Sequence, residues 1–107
     1  MERVIVLGLR GCKHCEALTE SLQKVAIPFE FKDVDLKEHS NLADRMEAIL
    51  KTQVYPMVIM EGSPHAIYLY REDSYENAKP SPIGYAVKIG CVSTEMMVDQ
   101  IKKHYKK

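Results

Sequence analysis

Arg3-Val-Ile-Val-Leu-Gly-Leu9, followed at once by Arg10-Gly-Cys-Lys-His-Cys15, sets the architecture of this chain. The first seven residues form a continuous apolar run rich in β-branched side chains, the pattern of a strand covered on both faces. From Cys12 the period changes: Cys15, Leu18, Leu22 and Val25 recur every three or four residues, with Glu16, Glu20 and Lys24 on other faces. That spacing predicts an amphipathic helix of about three turns, stopped by Pro28.

Working outward, Phe29 to Asp35 alternates and then turns acidic, which predicts a second strand ending near Asp33 and closes a βαβ unit. Ser40 or Asn41 is placed to cap a second helix with Leu42, Met46, Ile49 and Leu50 as its apolar stripe, ending near Thr52. Tyr55 to Met60 reads as a strand with Pro56 near its start, and Glu61 to Pro64 as a turn. Ala66 to Tyr70 follows as an antiparallel partner of that strand. Residues 72 to 84 are polar, carry Pro80 and Pro82, and predict a loop with little regular structure. Tyr85 to Ile89 reads as one more short strand. A last helix begins at Ser93 or Thr94, with Glu95 in its first turn, Met97, Val98, Ile101 and Tyr105 inward, and Lys102, Lys103, Lys106 and Lys107 at its carboxyl end.

Nothing here marks a domain boundary or a repeat. The 107 residues, 46% of them hydrophobic, predict a single domain spanning 1–107 with enough core to fold without staples. Fifteen basic and fifteen acidic residues cancel, which argues against a nucleic-acid binder or a membrane-surface protein. No apolar run reaches the ~20 residues of a membrane span, and the first ten residues lack the form of a signal peptide, so a cytoplasmic protein is expected. Three cysteines, an odd number, argue against a disulfide framework and leave the thiols as candidates for chemistry.

Cys12 falls where the strand gives way to the helix, so its sulfur faces unpaired backbone N–H groups that favour a thiolate, the reactive form of cysteine. Cys15 lies one turn along on the same face, close enough to pair with it. The chemistry this spacing suits is thiol-disulfide exchange: Cys12 attacks a disulfide and Cys15 resolves the mixed intermediate. Two thiolates at this spacing are also half of a zinc site. His39, His65, His104 and Cys91 are scattered singly, so no second ligand pair is evident and no metal is expected. A CxxC beside a βαβ pattern reads first as a redox pair.

The order strand, CxxC, helix, strand, helix, proline-led strand, strand, helix resembles the thioredoxin superfamily, and specifically the glutaredoxins, over most of the chain. Gly11-Cys-Lys-His-Cys15 is similar to the family's Cys-Pro-Tyr-Cys, Val54-Tyr55-Pro56 to its Thr-Val-Pro, and Gly90-Cys91 through Glu95 to its Gly-Gly segment. Asp33-Val-Asp35 is similar to the acidic end of its second strand. The resemblance implies an α/β thioredoxin-like fold: a central mixed four-stranded sheet flanked by three helices, with an extended insertion before the last helix. It implies a glutathione-dependent dithiol oxidoreductase in which Cys12 and Cys15 are catalytic and Tyr55-Pro56 is cis. Glutathione, a co-substrate rather than a tightly bound cofactor, or a substrate peptide would then meet Arg10, Lys13, His14, Val54, Tyr55, Pro56, Gly90, Cys91, Ser93 and Thr94. Partners would be glutathione and disulfide-containing proteins, with the chain itself a monomer.

This sequence departs from the family in places. Arg10 stands two residues before Cys12 where the family usually has its basic residue three before, and Gly90 is single. A thioredoxin-like electron donor to one protein such as ribonucleotide reductase is the redox alternative, and a metal- or partner-binding module the non-enzymatic one. His14, before the second cysteine, reads equally as a group that stabilises the reduced thiolate or as an exposed spacer. Ser63 to Ile89 holds Tyr68, Tyr70, Tyr75 and Tyr85, read first as sheet packing plus a tolerated insertion and second as a docking surface. Cys91 reads as a small core residue rather than a third redox group.

Overall fold

A computed structural model describes residues 3–62 and 65–105. Among these residues the chain forms three α-helices and one six-stranded mixed sheet. The strands are β1 (Arg3–Gly8), β2 (Glu30–Asp33), β3 (Met57–Glu61), β4 (Ala66–Arg71), β5 (Pro80–Ile83) and β6 (Ala86–Cys91). The helices are α1 (Lys13–Lys24), α2 (Ser40–Leu50) and α3 (Thr94–His104). Strand order across the sheet is β2-β1-β3-β4-β6-β5. β1 runs parallel to β2 and antiparallel to β3; β4 is antiparallel to β3 and parallel to β6; β5 returns antiparallel on β6.

The apolar runs are continuous because the sheet is covered on both faces. Val4 and Val6 of β1, with Val58 and Met60 of β3, join Leu18 and Leu22 of α1 and Met97 and Ile101 of α3 in one core. The intervening Ile5 and Leu7, with Met57 and Ile59, face the other way and pack with Met46 and Leu50 of α2. This is the period-2 alternation of a strand, apolar at every position because neither face meets water.

The expected four-stranded sheet is thus a six-stranded one. The segment read as an irregular loop contains β5, and the strand expected at Tyr85 to Ile89 is β6, paired with both β4 and β5. The prolines do not prevent this. Ile83 pairs with Ala86 around Gly84 and Tyr85, so the pairs Pro82 with Val87 and Pro80 with Ile89 fall at the non-hydrogen-bonded positions of the hairpin. There, on a strand with β6 as its partner among the described residues, a missing N–H leaves no bond unmade. Among its described residues, the inserted segment therefore supplies β4, β5 and the start of β6. Its tyrosines divide: Tyr70 is buried, Tyr68 half-buried, and Tyr75 and Tyr85 exposed.

Two helix ends also differ from expectation. α1 stops at Lys24, ahead of Pro28, because Ala26 turns into the left-handed region and the N–H groups of Ala26 and Ile27 bond back to Gln23 and Leu22. α2 is entered through a 3-10 turn at Lys37–His39, so Ser40 is its first residue and bonds to the Lys37 carbonyl rather than capping the helix. Part of the turn expected at Glu61 to Pro64, and Lys106 and Lys107, lie outside the described residues.

Candidate active site

The topology gathers the chain's chemistry at one end of the sheet. Leu7 pairs with Met57, Val58 with Leu69, and Tyr70 with Gly90. The carboxyl ends of β1, β4 and β6 and the amino end of β3 therefore lie along the same edge. This brings Cys12 and Cys15, the Tyr55-Pro56 bond and the start of α3 to one side of the molecule.

Cys12 is the N-cap of α1, with extended backbone and a half-buried side chain. Its sulfur accepts the Cys15 backbone N–H at 3.4 Å and the Cys15 thiol at 2.7 Å. An orphan N–H of the first turn thus points at sulfur, as an N-cap oxygen would arrange. Cys15 is 1% exposed and packs among Leu7, Tyr55 and Met57, with Cys12 against the same cluster. Burial, and then the hydrogen bond to Cys12, pushes the Cys15 thiol up to about 12. The two sulfurs are thus unequal: one meets solvent, the other is kept protonated behind it. Lys13 and His14 between them are exposed.

Gly8 makes this geometry possible. A β-carbon there would lie 2.8 Å from Phe31 Cε1 and 3.0 Å from the Cys15 sulfur. The strand must present bare backbone for that sulfur to tuck under it. Phe31, on β2, leans over the same spot and remains 40% exposed. Neither residue was singled out from sequence; a glycine inside an apolar strand was the available signal.

The Tyr55-Pro56 peptide bond is cis. Tyr55 is buried beside Cys15, and its hydroxyl donates to Glu47 Oε2 on α2 at 2.5 Å. Burial, followed by that carboxylate, pushes the phenol well above its ordinary range. Val54 is exposed and Pro56 buried. Glu47 is a third residue that sequence reasoning passed over.

The remaining expected contact residues have partners of their own. Arg10 is 85% exposed, and its Nε lies 3.3 Å from Oδ2 of the buried Asp33. Ser93 caps α3 by accepting the Met96 N–H at 3.1 Å, and Thr94 Oγ1 accepts from Arg71 at 3.5 Å. Gly90 faces Glu72 and the backbone at 77–78, where a β-carbon would stand 2.5 Å from Glu72 Cγ. Cys91 is fully buried in the core of α1 and α3, away from the Cys15 cluster, and burial pushes its thiol up to about 12. Among the described residues, no group of three or more His, Cys, Asp or Glu side chains is arranged to hold a metal ion. No helix among them is long and apolar enough to cross a membrane.

A groove of about 340 Å³ opens beside Cys15, walled by Leu9, Phe29 and Phe31 and rimmed by Arg10, Thr19 and Gln23. Comparison with known families finds no family model that matches the chain, and comparison with curated proteins finds no significant match.

Proposed function

We propose that the protein is a thiol-disulfide oxidoreductase of glutaredoxin type, working through Cys12 and Cys15 in a reducing compartment such as the cytoplasm. The observation that carries the reading is the pair itself: an accessible sulfur at a helix N-cap with a buried, protonated thiol 2.7 Å behind it. A thioredoxin-like arrangement is supported by the order β2-β1-β3-β4, by the helix that follows the cysteines and by the cis proline before β3. β5 and β6 would extend that plan.

The thiolate of Cys12 attacks one sulfur of a substrate disulfide; a Cys12–substrate bond forms, and the other substrate sulfur leaves as a thiolate that takes up a proton. Cys15 then gives up its proton and attacks the Cys12 sulfur, which forms the Cys12–Cys15 disulfide and releases the second substrate thiol. The high proton affinity of Cys15 keeps it in reserve until a leaving thiolate can accept that proton. Two equivalents of an external thiol, glutathione in the family reading, restore the dithiol.

The test is reduction of a glutathione mixed disulfide or a protein disulfide coupled to glutathione. Turnover that persists in chelator and vanishes in Cys12→Ser is the expected result; stoichiometric zinc with no turnover would falsify it.

A further inference from the structure

Resting on this dithiol reading, we propose that Phe31 and the groove beside it are a specificity subsite. It selects polypeptide disulfides with an aromatic or branched aliphatic residue next to the reacting cysteine, over glutathione. Leu9, Phe29 and Phe31 give the groove its apolar lining, Cys15 itself lines it, and Glu16 joins Arg10, Thr19 and Gln23 as its polar lining. Phe31 Cε1 and the Cys15 sulfur approach the same point over Gly8, which sets the ring beside the buried member of the pair. Phe29 is partly buried and packs against the core of α1 and α3, whereas Phe31 keeps 40% of its surface in water. A concave apolar site with a few polar groups at its rim is the form of a side-chain pocket. β2, which carries Phe31, pairs with β1 alone among the described residues, so it is a marginal strand of the sheet.

Glutathione brings small polar side groups and two carboxylates, and gains little from an apolar wall. Its obvious cationic partner here, Arg10, already faces Asp33. A substrate residue such as Phe or Leu gains by leaving water, and one apolar group in a fitted pocket is worth about tenfold or more in kcat/KM.

The experiment uses the full chain with a chemical dithiol as reductant and two peptide disulfides identical except for Phe or Ser beside the cysteine. Wild type is expected to favour the Phe peptide about tenfold in kcat/KM. The ratio falls toward one in Phe31→Ser, which removes the wall, and in Thr19→Phe, which fills the groove from α1. Tyr85→Ser, at a residue 98% exposed on the β5–β6 turn, keeps the wild-type ratio. Equal turnover of both peptides by wild type overturns the subsite while leaving the dithiol reading intact. A preference that survives both Phe31→Ser and Thr19→Phe also overturns it. Absence of turnover with either peptide or with glutathione disulfide overturns the dithiol reading and the subsite with it.

Discussion

Burial separates the three thiols. Cys12 is half-buried at its N-cap, whereas Cys15 and Cys91 are enclosed and held protonated, each pushed up to about 12. Neutral, enclosed thiols react slowly with electrophiles. Iodoacetamide on the reduced native protein near neutral pH should therefore label Cys12 first, with Cys15 and Cys91 labelled only after denaturation, as peptide mass spectrometry would show. Equal labelling of Cys12 and Cys91 would contradict the burial. The same enclosure ties stability to pH. The unfolded chain releases its thiol protons near 9, the native protein holds that of Cys91 to about 12, and between these values the native state binds more protons. Its stabilising contribution is therefore full below that window and lost as pH rises through it, by about 1.4 kcal/mol per pH unit for one thiol. In urea titrations from pH 9 to 12, Cys91→Ala should decline less steeply than wild type; parallel slopes would refute the assignment.

At the scale of elements, two helices end on residues in the left-handed region that carry a β-carbon: Ala26 after α1 at φ 57° and Lys51 after α2 at φ 55°. Glycine relieves that conformation, offset in part by the greater freedom it gives the unfolded chain. Ala26→Gly and Lys51→Gly should each raise stability by about 0.5–1 kcal/mol, read as a higher urea midpoint at unchanged slope. Gly8→Ala acts in the opposite sense. The added carbon meets Phe31 and Cys15, so a loss of about 1–3 kcal/mol is expected, together with faster alkylation of a displaced Cys15. These elements also mark what was legible in the sequence. The Cys12–Cys15 pairing is local, three residues on a helix start, and the both-faces-buried strands announce themselves as unbroken apolar runs. β5 was hidden because Pro80 and Pro82 read as breakers, and only the hairpin register reveals that both sit at non-bonded positions. The partners of Arg10 and Thr94 were hidden because Asp33 and Arg71 are distant along the chain and meet them only through the fold.

For the whole molecule, the order β2-β1-β3-β4-β6-β5 places β1, β3, β4 and β6 inside the sheet and β2 and β5 at its margins. Both cores meet on β1 and β3, whose residues alternate between them, so opening these strands exposes apolar surface on two sides at once. Opening β5 exposes little: its residues are exposed or half-buried, and two of its four carry no N–H. Local opening free energies follow such differences, from near zero at margins to the global value in the core. Amide exchange should therefore be slowest in Val4 to Leu7, Met57 to Met60 and Ile67 to Tyr70. The Ser81 and Ile83 amides, the N–H groups β5 can offer to β6, should exchange faster by several orders of magnitude. β2 should fall between: it lies at a margin, yet Asp33 is buried and the N–H of Val34 bonds to the Gly8 carbonyl at 2.9 Å, next to the Cys15 sulfur. The margin nearest the dithiol is thus anchored and the far one loosely held. Exchange at Ser81 and Ile83 as slow as in β3 would show instead that β5 opens only with the whole fold.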